Sequence, residues 1–283
     1  MNPDAAIASR AVDAALPDGA PVRVLHGRDA ADIARQQGLP LGEVERAALA
    51  LGIVPARYLR NLTAYSPAEQ ARLARSTAAL VGLGGLGGTV LEILARTGVG
   101  TIVAADGDVF EESNLNRQLL SETARLGRPK AEAALARAAA VNPAVAITAR
   151  RVFLDEAGMI ELMGGAQVAV DALGGLADRP ALARAAATRG IPLVTAAVAG
   201  DTGYVATVLP GGPSMWEVLG SGGAGGEAPA EDVLGCQAAP VTVLAGMLAA
   251  EALRILAGRP PRLAGRLLLV DLSDMTFETV SLR

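Results

Sequence analysis

A glycine-rich turn between a short apolar segment and a helical segment constrains the fold of this chain more than any other feature. Residues 78–81 are apolar, and they lead directly into Gly82, Gly84 and Gly87, which have the G-x-G-x-x-G spacing. The first glycine of such a turn permits a tight bend, and the second lets the backbone approach a phosphate closely. Helical spacing follows at residues 89–96, so its first N–H groups would point at the same phosphate. This order predicts a nucleotide-binding turn in an α/β protein, with a purely structural turn as the alternative.

The chain from residue 57 onward repeats the alternation of strand and helix. Strands are predicted at residues 78–81, 101–105, 146–152, 168–170 and 192–196, and helices at residues 67–76, 130–141, 156–163 and 178–189. Residues 101–105 are apolar throughout, as expected of a parallel strand covered on both faces. The pattern predicts an α/β fold with a doubly wound, Rossmann-like and mostly parallel sheet.

The pattern changes after residue 197. Residues 203–209, 265–271 and 275–282 predict strands of an antiparallel C-terminal extension, and residues 211–226 predict a glycine-rich loop. Residues 241–256 predict an apolar helix whose only charges are Glu251 and Arg254. Such a helix must be buried, either in the core or against a second copy of the protein.

The sequence predicts a small helical appendage at residues 1–56, ahead of the α/β domain at residues 57–283. Helical spacing occurs at residues 5–15, 29–37 and 43–51. Residues 31–53 could form a DNA-binding helix-turn-helix, but Arg35 and Arg46 are their only cations. We therefore favour a packing or recognition element over nucleic-acid binding.

Composition excludes several classes of function. The formal net charge is −4 and no run of Lys or Arg occurs, which argues against nucleic acid or an anionic membrane as the main partner. One histidine, His26, and one cysteine, Cys236, exclude a Cys/His zinc site and an internal disulfide. No secretion signal or bilayer span is predicted. A single free thiol suits a cytoplasmic protein.

The polar segment after residue 105 argues for a triphosphate rather than a nicotinamide ligand. Asp106 lies where a carboxylate can bind ribose hydroxyls. Asn114 and Arg117 are three residues apart, and Lys130, the only lysine of the chain, opens a helix. Several spaced cations suit a chain of phosphates, because charge moves between oxygens during transfer at phosphorus. Ordinary surface charges remain the alternative for Arg117 and Lys130.

These segments together resemble the MoeB/ThiF/HesA family, the bacterial relatives of ubiquitin-activating E1 enzymes. The resemblance covers roughly residues 57–283 and includes the run around Arg60, the glycine turn, Asp106-x-Asp108, the segment 113–118, and Gly127-x-Pro-Lys130. It implies an ATP-dependent adenylyltransferase that acts on the C-terminal glycine of a small ubiquitin-like, β-grasp sulfur-carrier protein ending in Gly-Gly. It also implies Mg-ATP as the nucleotide, a homodimer, and a molybdopterin, tungstopterin, thiamine or related pathway.

The resemblance assigns roles to individual residues. The nucleotide would be bound by the glycine turn and by the acidic residues after it: Gly82, Gly84, Gly85, Gly87, Asp106 and Asp108. Asn114, Arg117 and Lys130 would hold the phosphates. Arg60 would reach the γ-phosphate from the other subunit of the homodimer.

One departure from the family concerns magnesium. The family pattern Asp-x-x-Asp-Asn is here Asp171-Ala-Leu-Gly174-Gly175. The second aspartate, which the resemblance implies to be the magnesium ligand, is therefore absent. Magnesium would then lie near Asp171 or Asp108, or be held mostly by the phosphates. Loss of a carboxylate ligand leaves a second interpretation open, a catalytically weakened nucleotide- and carrier-binding module. An NAD-dependent oxidoreductase is a third.

A second departure concerns cysteine. The zinc-binding Cys-x-x-Cys pairs of many relatives are absent, and Pro213 and Ser214 occupy the place of the first pair. Cys236 lies near the position of a reactive cysteine in some relatives, and it is either a working thiol or a small apolar filler. Trp216, the only tryptophan, is either a partner contact or part of the core.

Overall fold

The N-terminal region has both helices and strands. The computed structural model describes residues 3–16, 18–212 and 230–282. The first elements are α1 (Asp4–Arg10), β1 (Val12–Ala15), β2 (Pro21–Leu25), α2 (Gly27–Gln37), α3 (Leu41–Ala50) and β3 (Ile53–Pro55). Strands β1 and β2 pair antiparallel, and β2 and β3 pair parallel, in a separate three-stranded sheet.

The predicted helix at residues 5–15 is therefore wrong beyond Arg10. The chain turns back at the Asp18-Gly19 step, where Gly19 has a φ of 87° and the N–H of Leu16 donates to the carbonyl of Ala20. A tight turn of this kind joins two antiparallel strands. The sequence Pro17-Asp18-Gly19 is a turn signal that outweighs the helical spacing around it.

Helices α2 and α3 pack inward. They share a hydrophobic cluster that includes Ile7, Leu25, Ile33 and Val44. The α3 side chain of Glu45 is buried and pairs with Arg57 in the following segment. A DNA-recognition helix needs an exposed face to enter a groove, so this burial favours the predicted packing role of α3.

The rest of the described chain forms one eight-stranded sheet. Its strands are β4 (Thr77–Val81), β5 (Thr101–Ala105), β6 (Ala146–Arg150), β7 (Val168–Asp171), β8 (Leu193–Ala199), β9 (Thr202–Val208), β10 (Arg266–Asp271) and β11 (Thr276–Ser281). The order across the sheet is β11-β10-β9-β8-β7-β4-β5-β6. Strands β4 to β8 are parallel. Beyond β8 the sheet continues through β9, β10 and β11, each antiparallel to the strand before it. The predicted doubly wound sheet and its antiparallel extension are confirmed.

The strand order reverses beside β4. The chain builds β5 and β6 on one side of β4, and then crosses to build β7 and β8 on the other side. In such a sheet a crevice opens beyond the carboxyl ends of the two strands where the order reverses. The fold therefore places its main crevice at the ends of β4 and β7.

Helices cover both faces of the sheet. They are α4 (Pro67–Leu73), α5 (Gly85–Thr97), α6 (Lys130–Val141), α7 (Glu156–Leu162), α8 (Arg179–Arg189), α9 (Ala230–Leu234) and α10 (Ala238–Leu256). Helix α5 begins one turn earlier than predicted, inside the glycine-rich segment, and ends at Gly98 with a φ of 88° as predicted. The early start brings the N-terminus of α5 to the end of β4.

The apolar helix α10 is a core helix. It packs on α5 and on β8 and β9. By length and composition α10 could span a membrane, but 56% of its most apolar window is buried within the fold, and a buried core helix passes the same test. Residues 213–226 of the predicted glycine-rich loop, with Trp216, lie outside the described residues.

Candidate functional site

A cavity of about 450 Å³ lies at the carboxyl ends of the parallel strands. Its walls come from the segments after β4, β5, β6 and β7 and from the end of β8, together with residues of α6, α7, α8, α9 and α10. Of the predicted site residues, the cavity lining includes Gly82, Gly84, Gly85, Asp106, Asp108, Asn114, Arg117, Lys130 and Cys236. The position matches the crevice expected from the reversal of strand order.

The glycine turn is packed too tightly for side chains. Gly82 has a φ of 96°, and a Cβ there would overlap the carbonyl group of Ala172 at the end of β7. A Cβ on Gly87 would overlap the carbonyl group of Gly82, so α5 lies directly against the turn. Because α5 starts at Gly85, its first N–H groups lie at the cavity wall without partners from a preceding turn. A helix N-terminus of this kind attracts an anion.

Asp106 supports the turn from the neighbouring strand. Its Oδ2 accepts from the N–H of Leu83 at 2.6 Å, and its Oδ1 accepts from the N–H of Asp108 at 2.8 Å. The carboxylate thus joins the segment after β5 to the segment after β4. Each oxygen has a further lone pair, so the predicted ribose role of Asp106 stays compatible with this geometry.

The cation Lys130 is buried at the cavity wall. The side chain is only 8% exposed, and its Nζ lies 2.9 Å from Oδ2 of Asp108. The backbone N–H of Lys130 also donates to the carbonyl of Asp108. Burial next to one carboxylate keeps a compact positive charge in a fixed place, as a phosphate-binding lysine requires.

Asn114 and Arg117 both line the cavity, in the segment before α6. Nη1 of Arg117 donates to the carbonyl of Ser113 and to Oδ1 of Asn116, at 3.0 and 2.9 Å. Asn114 is buried, and its Oδ1 accepts from the N–H of Glu111. These two bonds of Nη1 fix the position of the Arg117 guanidinium, which carries five N–H donors in all.

Gln118 and Phe153 line the cavity, and the sequence analysis gave neither of them a role. Gln118 is buried beside Gly84, and its Oε1 has no hydrogen-bond partner among the described residues. A buried amide without a partner is a group that a ligand can satisfy. Phe153 is 76% exposed, and its ring lies so close to Gly107 that a Cβ there would be 2.5 Å from Cδ2. The sequence offered one signal for Phe153, because it is one of only three phenylalanines and directly follows the strand predicted at residues 146–152.

The predicted magnesium role of Asp171 does not agree with the structure. Asp171 is fully buried at the end of β7, and the cavity lining does not include it. Its Oδ2 accepts from Thr195 Oγ1 at 2.6 Å and from Nη1 of Arg179 at 3.1 Å. Its Oδ1 accepts from the N–H of Leu173. The carboxylate is consumed by internal partners, so its role is structural.

Arg179 fixes the cavity wall after β7. It donates to the carbonyls of Leu173, Gly175 and Ala196 at 2.6 to 2.8 Å, besides its bond to Asp171. The sequence analysis did not select this residue. Its position four residues after Gly175 gave no sign that it would turn back to the loop.

The segment after the undescribed residues 213–229 closes the remaining side. Glu231, on α9, accepts from the N–H of Gly175 through Oε1 at 2.8 Å. Cys236 lines the cavity, and its carbonyl accepts from Asn116. Burial raises the pKa of the Cys236 thiol, while nearby Arg117 acts in the opposite direction. A raised pKa leaves less reactive thiolate at neutral pH, which favours the filler role.

Arg60 lies elsewhere in the chain. It is exposed in the segment between β3 and α4, and the cavity lining of the same chain does not include it. Its predicted action from a second subunit stays a prediction. Within the described residues, no group of three or more His, Cys, Asp or Glu side chains is arranged to hold a metal ion.

The sheet order and the tight glycine turn define a doubly wound α/β protein whose ligand cavity lies where the strand order reverses. A model of the ThiF family matches residues 58–283. The chain belongs to the ThiF family, and the resemblance predicted from the sequence is confirmed.

Known relatives agree with this assignment. The chain is 35% identical over 229 residues to the SAMP-activating enzyme E1 of Haloferax volcanii, covering 80% of this chain and 85% of that protein. It is 35% identical over 235 residues to the sulfur carrier protein adenylyltransferase of Thermus thermophilus, covering 80% and 87%. A crystal structure of E. coli MccB with ATP has a TM-score of 0.67 at 20% identity, covering 80% of this chain and 70% of that one, which shows a shared fold.

Proposed function

We propose that this protein is an ATP-dependent adenylyltransferase that activates the C-terminal glycine of a small ubiquitin-like sulfur carrier. The observation that carries the proposal is the cavity itself, where Arg117 and Lys130 flank a helix N-terminus and a glycine turn. Relatives named as a SAMP-activating E1 and a sulfur carrier adenylyltransferase support the same reaction. Because these relatives are named for an activity, they favour turnover over a non-catalytic binding module.

The cavity supports a nucleotide triphosphate better than a nicotinamide. Phosphates would lie at the start of α5, where backbone N–H groups and Arg117 are available as donors. Adenine would lie toward Phe153, whose exposed ring covers Gly107 beyond the end of β5. An aromatic ring offers a stacking surface for a base.

The reaction would need positioning and positive charge rather than acid–base chemistry. A carboxylate oxygen of the carrier's terminal glycine forms a bond to the α-phosphorus, and the bond from that phosphorus to the bridging oxygen breaks. Pyrophosphate leaves and the carrier retains the acyl-adenylate. Lys130 and Arg117 would stabilise the charge that develops on the phosphate oxygens in the transition state.

Magnesium fits this cavity as a companion of the nucleotide. The ion usually takes one or two protein carboxylates together with substrate phosphates and waters. Asp108 lies at the cavity beside Lys130 and is half exposed, so it can face such an ion. When bound, magnesium would neutralise phosphate charge.

We extend the family resemblance to the oligomeric state, the location and the pathway of this protein. We propose a homodimer in which Arg60 of one subunit completes the site of the other. We also propose a cytoplasmic location and a pathway of the molybdopterin, tungstopterin or thiamine type. Sedimentation tests whether the protein is a dimer. The role of Arg60 in the partner's site is tested by mixing the Arg60→Ala variant with the Lys130→Ala variant. Activity recovered in the mixed dimer supports a shared site.

The direct test is ATP–pyrophosphate exchange with a β-grasp carrier ending in Gly-Gly. Exchange that depends on the carrier and on Lys130 supports the enzyme. Tight ATP binding without exchange, for any carrier tested, supports the binding module instead. Absorbance change at the nicotinamide band with a substrate would favour an oxidoreductase.

A further inference from the structure

The carboxylate of Glu231, which is distant from Gly174 in the sequence, borders the space that a side chain at position 174 would occupy. Gly174 has no side chain, and a Cβ built on it would lie 3.8 Å from Oε1 of Glu231. The same oxygen accepts from the N–H of Gly175 at 2.8 Å, which fixes the carboxylate against this loop. Both Gly174 and Glu231 line the cavity.

Glu231 is held in this place from more than one side. Its helix α9 contacts β8, and just beyond α9 the carbonyl of Gly235 accepts from the N–H of Gly200 at 2.8 Å. Asn116 donates to the carbonyl of Cys236 at 3.0 Å. These bonds tie the segment 230–236 across the cavity from both the β8 side and the Arg117 side.

The other acids at the cavity make different contacts within the protein. Both oxygens of Asp106 accept backbone N–H groups, Oδ2 of Asp108 pairs with Lys130, and Asp178 is exposed at the rim. Glu231 makes one hydrogen bond among those of the described residues, through Oε1. Its second oxygen is therefore available to a cation in the cavity.

We infer that Glu231 supplies a magnesium-facing carboxylate of the nucleotide site in addition to Asp108, in the space where position 174 has no side chain. The inference rests on the proposed function, because the metal enters with the triphosphate. A hard divalent cation prefers carboxylate oxygens, and one or two of them suffice when phosphates provide further ligands. The carboxylate thus comes from α9 instead of from the loop after β7.

The experiment measures ATP binding to the full-length protein by calorimetry, once with EDTA and once with MgCl2. The wild-type protein should bind ATP more tightly with magnesium. Glu231→Gln should lower this enhancement about tenfold or more while leaving the affinity in EDTA unchanged. The amide oxygen of Gln can still accept from Gly175, so the loop is retained. Asp232→Asn, the exposed neighbour on α9, is the matched control and should leave the enhancement intact.

The second variant moves the carboxylate from position 231 to position 174. Gly174 has no left-handed φ, and among the described residues its Cβ position meets nothing closer than Glu231, so these residues leave room for aspartate there. Gly174→Asp combined with Glu231→Gln should restore the magnesium enhancement. Gly174→Asp alone should bring no gain, because a second carboxylate then faces the first. Paramagnetic resonance of Mn²⁺ with ATP should follow the same order among the variants.

The failures are distinguishable. An unchanged magnesium enhancement in Glu231→Gln, or a gain in Gly174→Asp alone, overturns the role of Glu231 and leaves the proposed function standing. A wild-type protein that binds no ATP with or without magnesium overturns the proposed function itself.

Discussion

Two walls of the same cavity each carry an arginine, and the two arginines differ in what surrounds them. On the wall after β7, Arg179 is 3% exposed and its donors end on three backbone carbonyls and on Asp171. On the wall before α6, Arg117 is partly exposed; its Nη1 donates to Ser113 and Asn116, and the guanidinium also contacts the thiol of Cys236.

The difference separates a residue that builds the site from one that can act in it. A guanidinium whose donors are satisfied inside the protein has none left for a ligand, and its removal leaves buried acceptors without partners. A guanidinium with spare donors at a cavity can bind an incoming phosphate. We therefore expect changes on the first wall to affect folding, and changes on the second to affect chemistry.

The largest effect is expected at Arg179. Arg179→Ala leaves Asp171 as an unpaired buried charge, which should lower the free energy of unfolding by about 3–5 kcal/mol. Urea unfolding followed by circular dichroism measures it. Arg184→Ala on the same helix removes an exposed pair with Glu156 and should cost under about 1 kcal/mol. Equal losses in the two variants would contradict the contrast.

Lys130 tests the second wall. Lys130→Ala should reduce carrier-dependent ATP–pyrophosphate exchange about 100- to 1,000-fold, because a preorganised charge at the phosphates is lost. The unfolding midpoint should change little, since Asp108 is half exposed and can be solvated. Arg128→Ala, an exposed cation two residues earlier, is the control. Exchange unaffected by loss of Lys130 would place the phosphates elsewhere.

A change at Phe153 tests the binding of the base separately from the binding of the phosphates. Phe153→Ala should weaken ATP binding by about 1–3 kcal/mol, the usual contribution of base–aromatic stacking. Calorimetry with ATP and with pyrophosphate separates the base from the phosphates, and pyrophosphate binding should be unchanged. Equal weakening of both ligands would show that the ring supports the loop rather than the base.

Cys236 gives the smallest effect and depends on pH. Because burial raises its pKa, less thiolate is present at a given pH, and alkylation at pH 8 should be several-fold slower than for a free thiol. The rate should rise as the pH approaches the raised pKa. Saturating ATP should slow it further, since Cys236 lines the cavity. Fast alkylation at neutral pH would instead support a working thiol.

The fold was largely predictable from the sequence because its signals are local. The apolar strands, the glycine turn and Gly98 at the end of α5 each follow from a few neighbouring residues. The N-terminal strands were missed because their pairing depends on the short Asp18-Gly19 turn, which interrupts an otherwise helical spacing.

The site was predictable only where the ligand-facing residues belong to a recognisable run. Asn114, Arg117 and Lys130 were selected and lie at the cavity. The burial of Asp171 against Arg179 and the approach of Glu231 to Gly174 depend on contacts between separate segments. No periodicity or spacing within one segment carries that information.

The approach of Glu231 to Gly174 also bears on how defects in enzymes are diagnosed. Reading residues in chain order, position 174 is a gap, and the protein looks inactivated. Measured through space, an acid from α9 stands beside that gap. Whether a binding pocket is intact therefore depends on the volume and charge of the assembled pocket. A side chain that is absent from one loop can be compensated by a side chain from another segment.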